Sequence, residues 1–168
     1  MAAKQRRPTP EDRLEAIRIA LSGIAGGADL ADTQWDLMAL HPKNNTFPGE
    51  VFLALAADAL NEAGASRDNP IEYENIRETY LPEFEFHGRS DHRKSHFALR
   101  AAAMIHGGVS PDLLDEVIWW SSDDLWVFSL YALIAYVRIA AERTGEPVAI
   151  ICERIARRHE VELSRSPS

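Results

Sequence analysis

The sequence predicts an all-α protein, a compact bundle of seven or eight helices around a central apolar helix over 123–144. Three observations predict it. The stretch Leu125 to Ala141, LWVFSLYALIAYVRIAA, is interrupted only by Ser129 and Arg138, and a helix that is apolar all round belongs inside a fold. Elsewhere, apolar residues recur at spacings of three and four between recognisable helix starts and stops. Only one short stretch alternates with period two, and no second strand is available to pair with it. The apolar run holds about a dozen unbroken residues, short of the roughly 20 that cross a bilayer. No membrane association is expected from it.

Residues 1–8 carry Lys4, Arg6 and Arg7 without an apolar partner, and 164–168 are equally thin. Both are expected to be disordered tails around a single helical domain over 9–163. Thr9 before Pro10, Glu11 and Asp12 has the pattern of an N-cap, a proline at the first helical position and acids in the first turn. Leu14, Ile17, Leu21 and Ile24 keep helical spacing until Gly26-Gly27. A shorter helix is predicted from Asp29 to Leu40, stopped by His41-Pro42. Pro48 opens a third, with Val51, Phe52, Leu55 and Leu60 on one stripe and Gly64 at its end. Asn69-Pro70 with Glu72 repeats the cap pattern and predicts a helix through Tyr80.

Leu81-Pro82 breaks that helix, and Glu83 to His87 read as a loop pinned by Phe84 and Phe86. Ser90 is placed to cap a helix that ends at Gly107-Gly108. Ser110-Pro111-Asp112 opens another, reaching Trp119-Trp120. Ser122 starts the central helix and Gly145 closes it. After Glu146-Pro147, a last helix puts Val148, Ile151, Cys152, Ile155 and Ala156 on one apolar stripe.

A net charge of −8 on 168 residues repels nucleic-acid phosphates and anionic membranes at long range, so contact with either requires a local basic patch. Cys152 is the only cysteine, which excludes an intramolecular disulfide and any multi-cysteine zinc site. Within its apolar stripe it reads as an inert core thiol. The basic N-terminal residues have no apolar run behind them, so a cytoplasmic location is expected.

Charge is not spread evenly. From Gly26 to Ile76 nine Asp or Glu stand against only Lys43 and Arg67, and the helix from Asp91 to His106 reverses that balance. At about 100° per residue, His92, His96, Arg100, Ala103 and His106 share roughly a third of its circumference, with Phe97, Ala101, Met104 and Ile105 expected on the buried side. Arg89, Arg93 and Lys94 add positive charge at the same end. The candidate ligand-binding set is therefore His87, Arg89, His92, Arg93, Lys94, His96, Arg100 and His106, with an anion as the ligand. His92 and His96 at i, i+4 also have a metal-ligand spacing, but Arg93, Lys94 and Ser95 stand where an HExxH motif carries its glutamate. No metal or cofactor is assigned.

Other chemistry-bearing residues have a structural explanation. Asp123-Asp124, like Asp112, Asp115 and Glu116, lie in helix first turns, where acids oppose the macrodipole. Trp119, Trp120, Trp126, Phe128, Tyr131 and Tyr136 crowd one region and are expected in the core. Tyr131 shares a face with Ala135, Arg138 and Glu142, the central helix's one polar stripe.

Two Arg-to-His spacings, Arg100-x5-His106 and Arg154-x4-His159, resemble those of HEPN ribonucleases, which are helical bundles of similar length. Ala101 and Ile155 follow the arginines where that family carries a polar residue. The resemblance implies metal-independent RNA cleavage at a dimer interface, with His as general base. The stretch HGRSDHRKSHFALRAAAMIHGGVSPDLLDEV, with DDLW and AERTGEPV, is similar to small uncharacterised helical proteins of actinobacteria over about residues 85–160. That likeness carries no activity with it.

No catalytic residue is assigned. A non-enzymatic interaction or regulatory protein that meets an anionic ligand or protein partner through the basic patch is the favoured expectation. A hydrolase or HEPN-like ribonuclease, and a nucleic-acid-binding protein, are the alternatives. Oligomeric state is left open.

Overall fold

The computed structural model describes residues 9–27, 32–33, 36–37, 49–72, 74–86, 88–109 and 122–163. Six helices run through them: α1 (Pro10–Ala25), α2 (Gly49–Glu62), α3 (Ile76–Tyr80), α4 (Gly88–His106), α5 (Ser122–Thr144) and α6 (Val148–Arg158). No strand occurs among the described residues, and the fold is all-α. Six described helices stand against the seven or eight expected. Of the two others, the one expected over 29–40 is described only at Asp32, Thr33, Asp36 and Leu37, which are helical. The one expected over 110–120 lies outside the described residues, as do both tails.

Local chemistry sets the helix ends. The Thr9 hydroxyl accepts the Asp12 amide at 3.1 Å while the Asp12 carboxylate accepts the Thr9 amide at 3.0 Å. The pair satisfies two donors that the first turn of α1 leaves open, with Asp in the position where Glu or Gln is usual. At the other end of α5, Gly145 takes φ 73°, a left-handed conformation that a Cβ disfavours, and its amide returns to the Ala141 carbonyl at 2.9 Å.

The core is built on α2 and α5, which share the most extensive helix contact. Phe52, Leu53, Leu55, Ala56, Ala59 and Leu60 of α2 are buried, as are Leu130, Leu133, Ile134, Tyr136, Val137 and Ile139 of α5. Helix α4 packs on both, and α6 packs on α1, α2 and α5. The face of α4 turned to the core is small: Ser95, Ala98, Leu99, Ala101 and Ala102. Small residues let another helix approach closely, and the Tyr136 hydroxyl of α5 donates to the Leu99 carbonyl of α4 at 2.6 Å inside the core.

Two arginines of α5 tie loops to the bundle. Arg143 donates to the carbonyls of Ala63, Asn69 and Pro70 at 3.4, 3.2 and 2.9 Å. Arg138 donates to the Tyr80 carbonyl at 2.6 Å and pairs with Glu83.

Four local expectations change. Residues 66–69 form a turn in which Ser66 and Asn69 exchange backbone hydrogen bonds, but the helix expected after Asn69-Pro70 starts only at Ile76: 70–72 are loop, with Arg143 holding the Asn69 and Pro70 carbonyls that a helix would have used. Helix α4 begins at Gly88, so Ser90 sits within its first turn instead of capping it. Met104 is 48% exposed, because the buried face of α4 is centred on Ala98 and Ala102, and at about 100° per residue Met104 lies a third of a turn or more round the helix from both. Leu14 is 44% exposed, because α1 buries Ala16, Ile17, Ala20 and Leu21.

Replacing Tyr136 with Phe leaves the Leu99 carbonyl without its phenolic donor at a site closed to water. That carbonyl lies inside α4 and keeps its helical hydrogen bond, so the expected loss is about 0.5–1.5 kcal/mol of unfolding free energy, measured by urea denaturation, with the helical circular dichroism unchanged.

Candidate functional site

Helix α4 carries the basic residues in a continuous ridge. Arg89, His92, Arg93, His96 and Arg100 are exposed, Lys94 and His106 are half-buried, and His87 lies outside the described residues. The ridge faces outward for a packing reason. The small residues that fit α4 against α2 and α5 claim the opposite side, so Arg89, Arg93 and Arg100 fall on the exposed one.

At the N-terminal end of the ridge, Arg89, Ser90, Arg93, Lys94 and Phe97 line a shallow concavity of about 380 Å³. Three cations and a hydroxyl around one depression match an anion with several oxygens, and the positive end of the helix dipole adds to the attraction. His96, Arg100 and His106 stand further along the same helix and do not line this concavity.

His92 leans away from that depression. Its ring meets Phe86 edge-on, with centroids 5.6 Å apart. Phe86 also touches Tyr131 at 5.2 Å and Phe128 at 6.1 Å, and Phe84 touches Tyr131 at 5.0 Å. The Arg77 guanidinium lies 4.9 Å over the Phe86 ring. The loop 83–86 is thus anchored by its two phenylalanines, while Glu83 and Glu85 stay exposed. Burial, followed by the charge of Asp91, raises the ionisation of the Tyr131 phenol above its usual range. Tyr131 is therefore part of an aromatic cluster, and its neighbour on the stripe, Ala135, is fully buried. The side chains of Trp119, Trp120, Trp126, Asp123 and Asp124 lie outside the described residues.

The second Arg/His pair belongs to an ion-pair network between α2 and α6. His159 Nε2 lies 2.7 Å from Asp58 Oδ2, and Arg158 reaches Glu62 at 3.0 Å. Arg154 meets Glu62 at 3.3 Å and also pairs with Glu146. Two of the acids that make residues 26–76 negative are thus matched by α6. The signal for this was present in the spacing of Arg154, Arg158 and His159 along one helix, but their acidic partners are about a hundred residues away in sequence.

Among the described residues no group of three His, Cys, Asp or Glu side chains is placed to hold a metal ion, and no helix is long and apolar enough to cross a membrane. Cys152 is fully buried in the α6 stripe, and desolvation with the nearby Glu153 charge pushes its thiol up to about 12. A thiol so protonated is a poor nucleophile at neutral pH. No family model, curated protein or solved structure matches the chain.

The Cys152 shift gives stability a defined pH dependence. An unfolded thiol ionises near its ordinary value of 9.0, whereas the folded one holds its proton to about 12. Between those values the folded state binds more protons, so this contribution to stability is intact below pH 9 and falls as pH rises toward 12. Replacing Cys152 with Ala is expected to flatten that part of the alkaline denaturation profile. The native wild-type thiol should also resist Ellman's reagent at pH 8 and react on unfolding.

Proposed function

We propose that this is a non-enzymatic, cytoplasmic interaction or regulatory protein that uses the α4 ridge to bind an anionic ligand or the anionic surface of a partner. The observation that supports it is the concavity lined by Arg89, Ser90, Arg93 and Lys94, set at the N-terminal end of a long helix in a protein of net charge −8. In such a chain, a local reversal of charge concentrates anions at one place while the remaining surface repels them. Arg93 and Arg89 are exposed and within reach of a ligand arriving from solvent. His92, His96 and Arg100 extend the positive surface along the helix for a larger partner. We further infer a complete bundle of seven or eight helices organised around α5, with the additional helices supplied by 29–40 and 110–120.

A catalytic role for the ridge requires a base and a nucleophile converging on one cleft, and the concavity offers cations and a hydroxyl instead. Binding is what this set of groups does well.

Tripolyphosphate is a minimal probe for the site. Calorimetry is expected to show saturable binding that weakens as salt is raised, because exposed charges are screened over about 10 Å at 0.1 M ionic strength. The triple variant Arg89→Glu, Arg93→Glu, Lys94→Glu should lose at least tenfold in affinity with its helical content unchanged. Unaltered affinity in that variant removes the ridge as the binding surface.

A further inference from the structure

A second concavity, which shares no lining residue with the one on the basic ridge, lies where α1, α5, the start of α6 and the 83–84 loop meet. It holds about 660 Å³ and is walled by Ile24, Phe84, Leu130, Ile134 and Val148. That volume lies within the roughly 300–1,000 Å³ of small-molecule sites. Its polar groups are few: Thr33, Glu83 and Arg138. The space is shaped from the backbone upward. A Cβ on Gly23 would lie 2.5 Å from the Thr33 hydroxyl oxygen, so only glycine lets α1 pass Thr33 at this distance.

Arg138 gives the cleft its chemistry. Its guanidinium is fixed by donation to the Tyr80 carbonyl at 2.6 Å and lies 5.8 Å over the Phe84 ring. The carboxylate now paired with it belongs to Glu83, on a loop, and the two side chains are 36% and 47% exposed. An ion pair this exposed is weak and exchangeable. A cation held at the edge of an apolar cleft, with its counter-ion on an exposed loop residue, is suited to a molecule that brings its own carboxylate on an apolar body.

We propose that this cleft binds an apolar monocarboxylate, whose carboxylate replaces that of Glu83 on Arg138 while its hydrocarbon part occupies the space between Ile24, Leu130, Ile134 and Val148. The site is independent of the α4 ridge. Phosphate-rich anions suit the ridge, where the cations are clustered, whereas the cleft offers one cation and oily walls. Glu83 acts as an internal competitor that keeps Arg138 paired when the cleft is empty, and ligand entry releases it to solvent.

Titration with dodecanoate below its micellar concentration, followed by calorimetry, tests this with dodecanol and dodecylammonium as controls. Dodecanoate is expected to saturate a single site and to bind at least tenfold tighter than either control. Glu83→Gln should tighten dodecanoate a few-fold by removing the competitor. Arg138→Gln should reduce the preference for the acid over the alcohol. Val148→Trp fills the cleft from a half-buried position and should weaken binding at least tenfold, with circular dichroism confirming the fold. Absence of saturable binding, equal affinity for acid and alcohol, weaker binding in Glu83→Gln, or full binding in a folded Val148→Trp variant each overturns the proposal. The ridge variants should leave dodecanoate binding unchanged, which separates this site from the first.

Discussion

Between Phe128 and Ala140 every side chain of α5 except those of Tyr131 and Arg138 is buried, which obliges the polar atoms there to find partners within the fold. Tyr136 is fully buried. Its hydroxyl reaches the Leu99 carbonyl on α4, and that bond sets the distance at which α4 lies against α5. The distance is accessible only because Ala98, Ala101 and Ala102 put little bulk between the helices. Hydrophobic burial along α2 and α5 supplies the driving force, while the hydrogen bond from Tyr136 to the Leu99 carbonyl favours one arrangement among the many that burial alone would permit.

The arginines of α5 extend this logic to the surface. Arg138 and Arg143 sit where the apolar run gives way to solvent, and both donate to backbone carbonyls, Arg138 to that of Tyr80 at the end of α3 and Arg143 to those of the segment that follows α2. Loop backbone that pairs with a guanidinium no longer needs helical hydrogen bonds. One rigid helix thereby decides the course of two loops, and the second of them carries Phe84 and Phe86 into contact with Tyr131 and Phe128. The aromatic cluster, the apolar cleft beside Arg138 and the start of α4 are consequences of that placement.

Charge is partitioned between surfaces in a similar way. The cations of α6 meet Asp58 and Glu62 across the α2–α6 contact, which neutralises part of the acidic half. The cations of α4 gather on an outward ridge. The two groups have similar compositions and different settings, and the difference comes from which helices lie next to them. Bridges of the α6 type contribute modestly to stability, whereas an outward ridge is available to a ligand.

The fold class, the apolar character of α5, the caps of α1 and the stop at Gly145 are legible from the chain itself, because each depends on residues within a few positions of one another. Thr9 and Asp12 need only their own backbone, and Gly145 only its own φ. The inert character of Cys152 is legible for the same reason, from the spacing of Ile151 and Ile155 beside it. Tertiary contacts decided the rest. Which face of α4 turns inward depended on the close fit of small residues against α2 and α5, and not on the larger Phe97, Met104 and Ile105 that dominate its hydrophobicity. That the stretch after Pro70 is loop as far as 72 goes with Arg143, more than seventy residues away in sequence, which holds the carbonyls of Asn69 and Pro70. The pairing of His159 with Asp58 and the cleft at Arg138 likewise join segments far apart in the chain. Periodicity reports what each segment can bury, while the partner it is buried against is a property of the packed whole.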